Sequence, residues 1–118
     1  MSRLSSYNFG IIAEYFALCW YFFHLCITLK HRFKTKFGEI DLICQRFNTI
    51  IFVEVKFRSQ DYDEILCSAK QQHRMIRSAE FFLLKHPCYR SHQLRFDLIL
   101  IRPYRLPLRI KNFINIGQ

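Results

Sequence analysis

The sequence predicts an α/β domain in which one mixed β-sheet is flanked by helices. An apolar segment of helical period opens the chain. Three stretches with strand-like patterns follow it, and then a second helix and one more apolar strand. This order of elements is typical of a single mixed sheet covered by helices. A chain of 118 residues can bury its own core, so we expect residues 1–118 to form one domain.

The first predicted helix covers about residues 10–24. Its apolar side chains recur at helical spacing and occupy nearly the whole circumference, so we expect it to be covered on most sides. The wider stretch 11–29, with basic residues after it, also approaches the length of a membrane span. Glu14 and His24 lie within that stretch and argue against a span, because a buried charge there is costly.

Three strands are expected next. Residues 27–34 alternate between apolar and polar side chains, as in a half-exposed strand. Residues 39–44 and 50–57 form two further strands, and their short connection makes them an antiparallel hairpin. A hairpin centred between Phe47 and Asn48 pairs positions whose numbers sum to 95.

The second half of the chain predicts a helix and the remaining strands. A polar stretch, 58–64, leads into a helix over about 65–85, which ends before Pro87. Residues 94–101 are a nearly unbroken apolar strand, and 110–116 are expected to add a last, irregular one.

Composition restricts the partners and the compartment. The 18 Lys and Arg residues exceed the 9 Asp and Glu residues, giving a net charge of +9 that favours polyanions, meaning nucleic acid or an anionic membrane surface. The five cysteines are scattered without a CxxC pair, which excludes a disulfide framework and a zinc site and favours a reducing cytoplasm.

The chemistry is concentrated in the predicted hairpin. In the register above, Asp41 faces Glu54 and Glu39 faces Lys56, with all four side chains on one face. Two carboxylates about 5 Å apart repel by roughly 3 kcal/mol at an effective dielectric near 20. A cation held by Asp41 and Glu54 would reverse that sign, and Mg²⁺ suits one or two carboxylates plus phosphate oxygens. A solvated surface hairpin with alternating charges is the alternative.

Two segments carry a family resemblance. Asp41, followed after a short interval by Glu54-Val55-Lys56, resembles the Asp…(Asp/Glu)-x-Lys motif of restriction-endonuclease-like nucleases. More narrowly, the chain is similar to the YraN-type family of small bacterial endonuclease-like proteins, related in fold to archaeal Holliday-junction resolvases. The matching residues are Gly10, Ala13, Glu14, Ala17, Gly38-Glu39-Ile40-Asp41-Leu42-Ile43, Phe52-Val53-Glu54-Val55-Lys56, Arg58, Arg74, Ala79 and Arg95-Phe96-Asp97.

The resemblance implies a fold and a site. The fold is an αβββαβ core with a mixed sheet, which assigns residues 11–29 to a helix and a strand rather than to a membrane span. The implied catalytic residues are Asp41, Glu54 and Lys56, with Mg²⁺ or Mn²⁺ held by the two acids. Glu14 matches a helical acid that can add a metal contact; the alternative is a core glutamate paired to a basic residue. Leu25 stands where relatives usually carry a glycine that ends the helix.

Two basic surfaces are candidates for contact with nucleic acid. At about 100° per residue, Lys70, His73, Arg74 and Arg77 share one side of the second helix. Their natural partners are backbone phosphates, although an ordinary solvated face shows the same pattern. A second set, which includes Lys34 and Lys36, lines the strand before Gly38, where alternation places its four cations on one face. That set consists of Lys30, Arg32, Lys34 and Lys36.

These features predict a cytoplasmic, metal-dependent endonuclease that acts on DNA, with branched or damaged structures as candidate substrates. The alternative is a nucleic-acid-binding module that keeps the nuclease-like fold without turnover. No base-reading motif is present, which favours recognition of DNA structure over sequence. Junction cleavage requires two sites related by symmetry, which leaves a homodimer open.

Overall fold

A computed structural model describes residues 6–58 and 67–114 of the chain. Two helices and five strands make up this part, together with a 3₁₀ turn over Pro87–Tyr89. Their order is α1 (Ser6–Phe23), β1 (Ile27–Thr35), β2 (Gly38–Arg46), β3 (Thr49–Phe57), α2 (Ala69–Lys85), β4 (Gln93–Ile101) and β5 (Leu108–Ile110).

The strands form one mixed sheet in the order β1-β2-β3-β4-β5. Strands β3 and β4 are parallel and joined through α2, whereas the other neighbours are antiparallel. Helix α1 packs on one face of the sheet and α2 on the other, each over its own apolar cluster. The predicted α/β class and the αβββαβ order of a restriction-endonuclease-like core are therefore confirmed.

The predicted hairpin register is also confirmed. Leu42 pairs with Val53 and Arg46 with Thr49, so paired positions sum to 95. The turn between β2 and β3 consists of Phe47 and Asn48, and Phe47 takes a left-handed backbone with a φ of 54°. A positive φ at the first turn position matches the right-handed twist of the flanking strands, which sets the register.

Helix α1 is less covered than its composition predicts. Ala13, Ala17 and Tyr21 are buried against the sheet. Large apolar side chains on its other side are exposed, among them Phe16 and Phe22. The prediction of a helix covered on most sides is therefore wrong. In the part of the chain that the structure describes, no helix combines the length and apolarity needed to cross a membrane.

Two predicted boundaries differ from the structure. Helix α2 begins at Ala69 rather than near residue 65, because Ser68 caps it: its hydroxyl accepts the Gln71 N–H, and the Gln71 side chain accepts the Ser68 N–H. Residues 59–66, which include most of the predicted polar stretch, lie outside the described residues. Strand β5 ends at Ile110, where 110–116 was predicted; a left-handed Asn112 follows it, and residues 115–116 are again outside the description.

Candidate active site

Asp41 and Glu54 meet where the β2–β3 ladder ends. The last backbone pair is Leu42 with Val53. Beyond it, the Asp41 carboxylate accepts the Val55 N–H at 2.8 Å. Glu54 lies close enough for its charge to act on the Asp41 carboxyl group and raise its pKa. The structure therefore brings this predicted pair together. The Asp41 side chain takes the place of the next backbone hydrogen bond between β2 and β3.

A matched irregularity in two strands turns Asp41 into this position. Ile40 packs in the cluster under α2 and Leu42 in the cluster under α1, so the usual two-residue alternation is broken at Asp41. Arg32 lies between His31 and Phe33, which pair with Leu42 and Ile40, and it has a left-handed φ of 60°. In both β1 and β2, the side chains therefore switch from one face of the sheet to the other at the same position. Asp41 is placed between the apolar cluster under α1 and the one under α2.

Lys56 contacts Glu54. Its Nζ lies 3.1 Å from Oε2 of Glu54, and both side chains are largely shielded, with exposed fractions of 16% and 19%. The predicted pairing of Glu39 with Lys56 is wrong, because the β2–β3 ladder ends at Leu42 and Val53, before it reaches those residues. On the other edge of β2, Glu39 pairs with Lys34 of β1.

The electrostatics of the pair favour bound cations. Removal from water, followed by the charge of Glu54, raises the pKa of Asp41 from 3.8 to about 8, although the Val55 N–H opposes that rise. Near neutral pH the two carboxyl groups therefore retain a proton. A cation would replace that proton, because it neutralises the same repulsion.

Glu14 is held by an ion pair with Arg32 and a hydrogen bond with His31. Its Oε1 accepts from Nε of Arg32 at 2.8 Å and contacts Nε2 of His31 at 3.0 Å. Its charge also contributes to the raised pKa of Asp41, which places it near the carboxyl pair. Glu14 is thus paired to basic residues and also lies close to the candidate site.

The donor set suits a hard divalent cation that keeps most of its own water. Among residues 6–58 and 67–114, no three His, Cys, Asp or Glu side chains converge as a ready ligand set. Asp41 and Glu54 supply two neighbouring carboxyl groups. Mg²⁺ is commonly held by one or two carboxylates, with water and substrate phosphate completing its shell, so the pair fits Mg²⁺ or Mn²⁺ and not a zinc cage.

A small cavity of about 130 Å³ opens beside Glu54. Helix α2 supplies its far wall through Gln71 and Arg74, and Cys67 lies at its edge. Sequence reasoning did not assign Cys67 or Gln71 to the site. The capping motif that starts at Ser68 was the available signal, because it directs the first turn of α2 toward β2 and β3.

The predicted basic side of α2 is exposed along its length. Lys70, His73, Arg74 and Arg77 all face solvent, while Met75, Ala79 and Phe82 are buried on the opposite side. Two cations lie over the ring of Phe37 in the β1–β2 turn: the Arg77 guanidinium carbon is 5.0 Å from the ring centroid and Lys36 Nζ 5.4 Å.

The second basic set does not form the predicted single row. A bulge after Thr28 and the left-handed Arg32 interrupt the alternation of β1, and Arg32 points to Glu14. Lys34 is exposed and follows Phe33, which packs under α2. Only Lys36, at the turn, adjoins the cations of α2 through Phe37.

Comparison with known proteins gives one consistent family. The sequence profile described as "Uncharacterised protein family UPF0102" matches residues 13–101. A UPF0102 protein of Rhodopseudomonas palustris (strain BisB5) is 40% identical over 106 residues, which cover 89% of this chain and 81% of the relative. One from Bartonella bacilliformis is 37% identical over 117 residues (98% and 96%), and one from Bradyrhizobium diazoefficiens is 38% identical over 109 (92% and 82%).

Proposed function

Because this chain belongs to the UPF0102 family, which is the YraN-type family inferred from its motifs, and because of the geometry of its site, we propose that it is a metal-dependent endonuclease acting on DNA. The observation that supports this most directly is the group of charges at the end of the β2–β3 ladder: Lys56 Nζ lies 3.1 Å from Glu54 Oε2, and Asp41 accepts the N–H of Val55, the residue between them. Two acids and a lysine at this spacing have no packing role that apolar residues would not fill better.

Each residue has a distinct role in this proposal. Asp41 and Glu54 hold the cation, and the Val55 N–H fixes the orientation of the Asp41 carboxylate. A bound divalent cation would act as a Lewis acid on a phosphate oxygen. Lys56 stabilises the negative charge that builds on the phosphate as water attacks phosphorus and the P–O bond breaks. Glu14 adds negative charge beside Asp41.

The exposed cations of α2 supply the DNA contact. Lys70, His73, Arg74 and Arg77 lie on one side, and Arg74 also lines the cavity beside Glu54. Phosphate contacts of this kind position a duplex without reading its sequence. We therefore propose recognition of DNA structure, with branched or damaged DNA as the substrate and a homodimer where two strands are cut. The five free cysteines are consistent with a cytoplasmic location.

The test incubates purified protein with labelled linear, flapped and four-way DNA in Mg²⁺ or Mn²⁺. Glu54→Gln and Lys56→Met each remove a charge with little change in volume, and we expect a loss of at least about 100-fold in cleavage rate for each. Arg90→Gln is the control for charge removal, because Arg90 is exposed and lies outside both the cavity and α2.

Cleavage that persists in both charge-removing variants would assign the activity to a contaminant. Binding without cleavage in any metal would favour the second candidate, a nucleic-acid-binding module. That candidate is supported by the cation–π group of Lys36, Phe37 and Arg77, which requires no catalysis.

A further inference from the structure

We propose that a second pocket, on the α1 face of the sheet, binds a phosphate group. Its volume is about 350 Å³, and its charged lining consists of Arg46, Arg95, Arg109 and Lys111, with His24 and Cys26 beside them. None of these residues belongs to the cavity next to Glu54. Phosphate binding in this basic pocket therefore does not depend on the proposed nuclease activity.

The basic pocket carries an uncompensated positive charge. The partner of Arg95 is Asp97, which is fully buried and does not line the pocket. Arg95 donates to that carboxylate through Nε and Nη2, both at 2.9 Å, and the Tyr21 hydroxyl and the Asn112 N–H also donate to it. No acid among the described residues lines the pocket. The lining therefore carries four cations and no acid, and such a concentration of positive charge attracts anions.

The arginines are held in place while keeping donors available. Arg95 is fixed by its fork on Asp97, and Arg46 donates its Nε to the His24 carbonyl at 3.1 Å. The Arg109 guanidinium lies 5.0 Å from the centroid of the Trp20 ring. A guanidinium has five N–H donors, so these contacts leave several for a ligand. Orienting the guanidinium groups in advance lowers the entropy lost when a tetrahedral oxyanion binds.

The chemistry of the pocket suits phosphate in particular. Several arginines with planar donor forks match phosphate oxygens in a bidentate way, and a single lysine adds a point charge. The same cations also act on the buried Cys26 thiol. Interaction with Cys44 is the main cause that lowers the pKa of this thiol to about 7, and the charges of Arg95 and Arg46 add to it. The phosphate could belong to a small phosphorylated molecule or to a nucleic-acid backbone.

Trp20 offers a direct measurement, because it is the only tryptophan in the chain and Arg109 lies against its ring. Wild-type protein in EDTA is titrated with pyrophosphate and, separately, with a short single-stranded oligonucleotide, each at constant ionic strength set with chloride. Saturation with pyrophosphate identifies a free phosphorylated ligand. Saturation with the oligonucleotide alone identifies backbone phosphate. Both results support the pocket.

Variants connect the signal to the basic pocket. Arg46→Gln and Lys111→Gln are each expected to weaken binding by about tenfold or more. Arg90→Gln, at an exposed cation outside both the pocket and α2, is the matched control and should bind as wild type. Lys111 is exposed, so its variant tests the proposal even if Arg46→Gln loses its fold, which far-UV circular dichroism would show. The proposal is overturned if neither ligand saturates, or if Lys111→Gln binds both as wild type does.

Discussion

Asp41 and Asp97 are both largely removed from water, yet their surroundings differ. Asp97 is fully buried and receives donors from Arg95, Tyr21 and the Asn112 backbone. Asp41 has one backbone donor and faces another carboxyl group. A buried charge is tolerated when it is paired and hydrogen-bonded, as Asp97 is. Asp41 lacks that compensation, which is the condition expected of a residue that acts on a ligand.

The first prediction concerns the pH dependence of Asp41. A carboxyl group whose pKa rises on folding, here from 3.8 to about 8, binds its proton more tightly in the native state. The stability of the metal-free protein should therefore fall as pH rises from about 4 through about 8. Asp41→Asn removes this dependence and still accepts the Val55 N–H. In EDTA it should be more stable than wild type by about 2 kcal/mol at pH 8, after allowance for solvent screening.

Urea unfolding at a series of pH values measures this difference. Below about pH 4 the two proteins should converge, apart from a constant offset due to the substitution itself. Glu39→Gln, at an exposed acid in β2, provides the control and should show no comparable trend. A difference between Asp41→Asn and wild type that stays constant from pH 4 to pH 8 would contradict the prediction.

The second prediction concerns the hydroxyl of Tyr21. This side chain is buried and donates to Asp97 at 2.9 Å. Tyr21→Phe leaves the ring in place and removes one donor from a buried carboxylate, so the free energy of unfolding should fall by about 2 kcal/mol. Tyr15→Phe is the matched control, because Tyr15 is 57% exposed, and it should change stability by less than about 0.5 kcal/mol. Equal unfolding midpoints for the two variants would contradict this role.

At the scale of elements, the end of α1 combines a regular motif with an unfavourable residue. The Cys26 N–H bonds to the Tyr21 carbonyl and the Leu25 N–H to the Phe22 carbonyl, which is the Schellman pattern. The residue at its left-handed position is Leu25, with a φ of 67°, where glycine is usual. The glycine expected from relatives is therefore absent, but its backbone conformation is retained.

The third prediction follows from this strain. Leu25→Gly should raise the free energy of unfolding by about 1 kcal/mol, because the left-handed region costs a side-chain-bearing residue more than glycine loses in chain entropy. Little packing is lost, since Leu25 is 65% exposed. Leu25→Ala keeps the Cβ and its strain, so it should show no gain. Urea unfolding distinguishes the two, and equal stability of both variants would show that the backbone here is unstrained.

Local sequence patterns predicted those elements whose geometry is set locally. The turn at Phe47 and Asn48 fixed the register of the hairpin, which in turn brought Asp41 to Glu54. The left-handed Arg32 was not predictable, because period-two alternation treats every strand residue alike and Arg32 is held by Glu14 from another element. The end of β5 depends on pairing with β4, which its own short sequence does not encode.

At the scale of the whole molecule, the positive charge is divided between the two faces of the sheet. The net charge is +9. The exposed cations of α2 lie on one face, whereas the basic pocket around Arg95 lies on the other. The carboxylate pair therefore adjoins only the first of these surfaces, through Arg74. DNA positioned for cleavage should depend on the cations of α2 and much less on distant ones.

The fourth prediction tests that dependence through salt. Each phosphate contact releases counterions, so the logarithm of the binding constant for duplex DNA falls with the logarithm of salt by about 0.9 per contact. Arg74→Gln combined with Arg77→Gln should reduce that slope by nearly 2 and weaken binding to all sequences alike. Arg90→Gln removes an exposed cation outside α2 and should leave the slope near that of wild type.

Fluorescence anisotropy of labelled duplex DNA measures the binding constants of wild type and both variants. The salt concentration is varied from about 50 to 200 mM, the range over which such contacts are resolved. If the double variant and Arg90→Gln lower the slope equally, the charge acts as a diffuse field and α2 is not the DNA-binding surface.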